Sequence, residues 1–170
     1  GDWSSDVCSS DLHRAITAET VIGFDTETRP TFRKGQSFLP SLVQIATAHA
    51  VFLFQLQRVD VTRELAEVLA NPAILKTGIG LDYDLSALKK VFPFEQRHTL
   101  DLGTVAQKQG FKQSGVRNLA GMLLGFRITK GARTTNWANP VLTSSQIIYA
   151  ATDAWVCREL YVKFRELGWV

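Results

Sequence analysis

The stretch VIGFDTETRP, residues 21–30, decides how this chain is read. Val21, Ile22, Gly23 and Phe24 make a short apolar run that reads as a buried strand. Two carboxylates follow two positions apart, Asp25 and Glu27. Side chains at that spacing on a strand point to the same face. Two acids held on one face repel each other unless something positive lies between them.

Composition bounds the rest. The chain has 170 residues, 45% hydrophobic and 21% charged, which suits one globular domain with a full core. No apolar run approaches membrane-spanning length and no signal peptide is visible, so no membrane partner is expected. Cys8 and Cys157 do not make a disulfide framework, and a reducing, cytoplasmic setting is the default.

The opening GDWSSDVCSSDL has no apolar periodicity, and residues 2–12 match an in-frame translation of a common short-read sequencing adapter. Residues 1–12 are therefore read as an artefact and expected to be disordered, with one domain over 13–170. Leaving them out removes three aspartates and no lysine or arginine, so the formal charge rises from +3 to +6. A basic domain of this kind suits a polyanionic partner.

Working outward from the first strand, SLVQIATA (41–48) and AVFLFQL (50–56) read as two further strands joined by a short turn. Residues 62–70 carry Leu65, Val68 and Leu69 at helical spacing, ended by Asn71-Pro72. AILKTGIG (73–80) reads as a fourth strand, followed by a helix over 84–92. Residues 98–110 read as a strand running into a short helix, and 116–125 as a helix capped by Gly125. Thr143 with Gln146 forms a capping-box pattern that opens a long helix to about Leu167. Strands followed by alternating helix and strand predict a mixed α/β sheet with helices packed on it.

Two more acids join the first pair. Asp84 falls where the fourth strand passes into a helix. Asp153 lies inside the long helix, and Tyr149 is four residues before it on the same face. A carboxylate among Ile147, Ile148, Ala150, Ala151, Ala154 and Trp155 is costly unless it is paired or coordinates a metal. Four carboxylates from three elements, without a cysteine or histidine cluster, suit a hard cation such as Mg²⁺ or Mn²⁺. Two such ions are a common device for phosphodiester cleavage.

At this point FDTET (24–28), GIGLDYD (78–84) and YAATD (149–153) resemble the three exonuclease motifs of the DEDD superfamily. The Tyr-x-x-x-Asp form of the third is that of the DEDDy subgroup, which includes ribonuclease D and proofreading exonuclease domains. Further similarity, over most of residues 21–165, is to the Werner-syndrome-type exonuclease branch. The resemblance implies a ribonuclease H-like fold, a five-stranded mixed β-sheet flanked by α-helices. It also implies a 3′-5′ exonuclease releasing nucleoside 5′-monophosphates from a 3′ end of DNA or RNA, DNA favoured, with two divalent cations. It carries the metal-binding acids onto Asp25, Glu27, Asp84 and Asp153, with Asp25 bridging the ions, and the water-orienting tyrosine onto Tyr149. Lys130 and Arg133, in a basic loop, are candidate phosphate contacts, and Leu85 a candidate contact to a terminal base.

Each residue also has a plainer reading. Asp84 would cap its helix, Asp25 and Glu27 would pair with Arg29 or Arg33, and Asp153 with Arg158 or Lys130. Asp101 would cap the helix after it, and Leu85 would pack in the core. At the level of function, the alternatives are a ribonuclease D-like RNA 3′-trimming enzyme and a nucleic-acid-binding module without catalysis.

Overall fold

In the computed structural model, which describes residues 9–57 and 61–170, the chain builds one five-stranded sheet with helices on both faces. The elements are α1 (Ser9–Thr17), β1 (Val21–Glu27), β2 (Leu42–Ala46), β3 (Val51–Gln55), α2 (Thr62–Ala70), β4 (Leu75–Gly78), α3 (Leu81–Leu88), β5 (Thr99–Asp101), α4 (Leu102–Lys108), α5 (Val116–Leu119) and α6 (Ser144–Glu166). A π-helical turn, Ala120–Leu124, continues α5 and ends at Gly125 in the left-handed conformation. The strand order is β3-β2-β1-β4-β5. β1 pairs antiparallel with β2 and parallel with β4, and is the central strand. The mixed sheet is thus the one anticipated, and its neighbours in fold are ribonuclease H-like.

Period-two alternation along β1 sorts its side chains between two cores. Ile22 and Phe24 point to one side, where they pack with Val43 and Ile45 of β2 and with α1, α2 and α3. Both are essentially fully buried, and truncating Phe24 to alanine would cost about 3–5 kcal/mol. Gly23, Asp25 and Glu27 therefore take the opposite face. There α6 lies across β1, β2, β3 and β4, above a second core that includes Leu42, Leu102, Leu119, Trp137, Leu160 and Phe164. The two acids are thus directed toward the helix that carries the others.

Several boundaries differ from the expected ones. The helix at the N-terminus starts at Ser9, so residues 9–12 of the stretch set aside as disordered are helical. Leu12 and Ile16, one turn apart, pack against the first core. Residues 1–8, with Cys8, lie outside the described residues. α3 begins at Leu81, three residues before the expected start, and Asp84 sits inside its first turn. Gly80 holds φ 68° at the helix entrance and offers no side-chain cap. The missing acceptor comes from another strand: the Leu81 N–H donates to Asp101 Oδ2 at 2.9 Å.

Candidate active site

The three carboxylates Asp25, Glu27 and Asp153 come together in one cluster, with an oxygen of each within 4.8 Å of the others. β1 supplies the first two, and α6 the third. The approach is close because residue 23 is glycine, which leaves room for the α6 backbone at Ala154. Asp84 reaches the same region from α3, where its charge acts on Asp25 and Glu27.

Burial and mutual repulsion dominate the electrostatics. Asp25 is raised well above the usual carboxylate range by burial, then by Glu27, Asp153 and Asp84. Glu27 is pushed up to about 8 by burial and by Asp153, against a hydrogen bond from Gln44. Asp84 is pushed up to about 7 by burial, against the Thr26 side chain. Asp153 rises to about 6 through burial, held back by the Arg117 charge, a hydrogen bond from Tyr149 and the Arg133 charge. Four acids so placed cannot all ionise together, even with two guanidinium groups nearby, and without a cation they retain protons.

The donor set fits a hard divalent cation. The donors are all oxygen, from side chains fixed on β1 and α6, with Asp84 of α3 near enough for its charge to act on them. Asp153 Oδ1 is buried without a hydrogen-bond partner, which is costly unless a cation takes it. Gln44, directly opposite Asp25 in the β1–β2 register, donates from Nε2 to Glu27 Oε1 at 3.3 Å and fixes that carboxylate. The Gln44 amide also lies 3.5 Å from the Ala150 carbonyl of α6, so it ties the strand to the helix.

Tyr149 projects from α6 one turn before Asp153 and is 9% exposed. Trp137, itself buried, lies against its ring at 6.0 Å between centroids and 36° between planes. Its hydroxyl accepts from Arg117 Nη2 at 3.4 Å. Burial and the Asp153 charge raise its pKa, opposed by Arg117.

The plainer readings meet mixed outcomes. Asp84 is not the helix cap. Arg158 pairs with Glu19 at 3.7 Å, and Arg29 lies over the Phe38 ring at 4.2 Å. Asp101 is a cap, as expected, accepting from Gly103 and Thr104 at the start of α4. Its second oxygen serves α3, a tie that no local pattern announces.

The substrate-contact candidates divide. Arg133 is exposed, yet its charge acts on Glu27 and Asp153. Lys130 is exposed at the start of the same turn, its carbonyl accepting the Arg133 N–H at 3.2 Å. Leu85 is a correction: it is fully buried in the first core and has no surface to offer a base. Its position one residue after Asp84 turns it inward, toward the sheet, as its neighbour faces the acids. Arg117 is the residue that the sequence reading did not single out. Its place on a short helix, far from the motifs, gave no signal.

A mixed sheet with carboxylates converging from its central strand and two helices defines a nuclease domain of the ribonuclease H-like class. The 3′-5′ exonuclease family matches residues 4–169, and the chain belongs to that family. Over 167 residues it is 29% identical to the mouse bifunctional 3′-5′ exonuclease/ATP-dependent helicase WRN, covering 94% of this chain and 12% of that protein. It is 30% identical to ribonuclease D of Haemophilus influenzae over 146 residues, 84% of this chain and 36% of the other. The crystal structure of the Aedes aegypti Nibbler EXO domain superposes with a TM-score of 0.83 at 22% identity, covering 94% of this chain and 84% of that one. The chain therefore spans well under half the length of either of these curated relatives. The family acts on nucleic-acid 3′ ends and depends on divalent metal. Among the described residues, no helix is long and apolar enough to cross a membrane.

Proposed function

We propose that this chain removes nucleoside 5′-monophosphates one at a time from the 3′ end of a single-stranded nucleic acid, with Asp25, Glu27, Asp84, Tyr149 and Asp153 as its catalytic residues. The observation that carries the reading is the convergence of Asp25, Glu27 and Asp153 within 4.8 Å, an arrangement unstable without positive charge.

Asp25, Glu27, Asp84 and Asp153 would hold two divalent cations, Mg²⁺ or Mn²⁺, with Asp25 central because it repels all three of the others. Bound there, the cations would stabilise the charge that develops on the attacking and leaving oxygens. The chain does the rest by placement. Tyr149, braced by Trp137, presents its hydroxyl at the edge of the acids, where it would orient the attacking water. Its raised pKa keeps the phenol protonated and a hydrogen-bond donor at neutral pH. Arg133, with Lys130 beside it, would meet the phosphates as they enter. Gln44 keeps Glu27 from turning away.

DNA is the proposed polymer, because the match to the exonuclease/helicase runs over more of this chain than the match to ribonuclease D. RNA trimming is the second reading, and the ribonuclease D relative favours it. The cytoplasmic setting is retained with this proposal, consistent with Cys157 being free and buried.

The test is incubation of 5′-end-labelled single-stranded DNA and RNA with the protein in Mg²⁺, Mn²⁺ or EDTA. A ladder shortening by single nucleotides, absent with EDTA and with Asp25→Ala, is the expected result. The polymer degraded faster decides between the two readings. A folded protein that binds the oligonucleotides and leaves them intact would replace both with a binding module.

A further inference from the structure

Arg117 is far from the four acids in sequence and beside them in space. It is the second residue of α5, a helix fixed to the second core by the fully buried Leu119. Its side chain crosses to α6. There Nη2 donates to the Tyr149 hydroxyl at 3.4 Å, while Nε is buried with no partner. The side chain is half-buried against α6, with its Nε out of reach of solvent.

A phenol has one proton to give and an oxygen that accepts. A guanidinium has donors only. When Arg117 donates to the Tyr149 oxygen, the phenol proton must turn elsewhere. Trp137 closes the side of the ring. The open direction is along α6 toward the acids, with Asp153 four residues on.

From this geometry we infer that Arg117 is a positioning residue, which fixes the Tyr149 hydroxyl as a donor aimed into the acid-lined space. A water entering that space takes the phenol proton in place of Asp153, and is then held through one lone pair with the other free to face phosphorus. With Arg117 gone, the hydroxyl is free to rotate and to accept from the water as readily as donate to it, so the water is no longer held in one orientation. The role rests on the exonuclease reading of the same site. It differs from charge balance, which any cation near Asp153 would supply.

The test is a pair of double-mutant cycles on Arg117→Ala and Tyr149→Phe, with Arg117→Lys alongside. In single-turnover and steady-state cleavage of a labelled oligonucleotide, Arg117→Ala is expected to lower kcat about 10–100-fold with KM within about 3-fold. In the Tyr149→Phe background, the same substitution should lower kcat by less than about 3-fold. Arg117→Lys should recover little, since an ammonium lacks the planar fork. Additive losses, a change confined to KM, or full recovery by lysine would each overturn the inference. The melting cycle, measured without metal, reads the contact independently of activity: Arg117→Ala and Tyr149→Phe should be non-additive in melting temperature. Additivity there would overturn the contact itself. A wild-type protein that melts cooperatively and cleaves nothing would overturn the exonuclease reading, and this role with it, whatever the melting cycle shows.

Discussion

Gly23 of β1 and Ala154 of α6 lie so close that a Cβ on the glycine would fall 2.1 Å from the Ala154 carbonyl oxygen. The same Cβ would lie 2.9 Å from the Arg158 backbone nitrogen. Both neighbours are backbone, so neither can swing aside. Gly23→Ala must lift α6 off the central strand and carry Asp153 away from Asp25. The expected outcome is a loss of at least about 2–3 kcal/mol in urea unfolding. Nuclease activity should fall further than stability alone explains. A Gly23→Ala protein that melts and cleaves like the wild type would disprove the close approach.

The acids set a pH dependence whose sign is unusual. Unfolded, carboxyl groups titrate at about 4. Folded, Asp153, Asp84 and Glu27 titrate at about 6, about 7 and about 8. The native state therefore binds more protons between these limits, and its stability falls as pH rises from about 4 to about 8. Without metal, the melting temperature should drop by roughly 5–10 °C between pH 5 and pH 8.5. Millimolar Mg²⁺ or Mn²⁺ should restore it, most strongly at the alkaline end. Asp25→Asn should flatten the metal-free profile and abolish cleavage. A metal-free melting temperature that climbs steadily over this range would refute the clustering of the acids.

Asp101 ties two helices together, with Oδ2 on Leu81 of α3 and Oδ1 on Gly103 of α4. Asp101→Ala should cost about 1–2 kcal/mol for the lost caps. Because Asp84 rides on the first turn of α3, apparent metal affinity should weaken as well. Isothermal titration with Mn²⁺ measures that, and an unchanged affinity would confine Asp101 to the fold.

Gln44 acts on Glu27 from the neighbouring strand. Gln44→Leu keeps the volume nearly constant and removes the donor. Metal affinity should fall about 10–100-fold, as when supporting hydrogen bonds are removed from ligating groups. Thermal stability at pH 5 should change little, because Glu27 is then protonated. A large loss at pH 5 would make Gln44 chiefly a core residue.

Much of this was legible in the sequence, for identifiable reasons. The strand at 21–27 declared itself through an apolar run, and the long helix through Thr143 and Gln146, whose reciprocal bonds are both formed. The approach of Asp25, Glu27 and Asp153 was legible, because acids in apolar surroundings are costly unless paired or holding a cation. The start of α3 was not, since its cap comes from Asp101 on another strand and leaves no local mark. The N-terminal helix was hidden by a boundary drawn at residue 12, which separated Leu12 from its packing partner in the next turn, Ile16. Arg117 escaped because its partner lies 32 residues away, and only tertiary structure brings the two together. Lys76 escaped likewise: a strand lysine reads as exposed, yet it is buried, with Nζ donating to the Asn71 carbonyl at 2.8 Å.

The placement of α6 against β1 also governs timing. Ribosomes deliver a chain from its N-terminus, so Asp25, Glu27 and Asp84 emerge long before the helix that carries Tyr149 and Asp153. Closing a loop of well over a hundred residues is slow compared with forming any local hairpin or helix. Until that docking happens, the strand acids have neither their fourth partner nor their tyrosine. The cluster of Asp25, Glu27 and Asp153 comes into being only when α6 docks on β1.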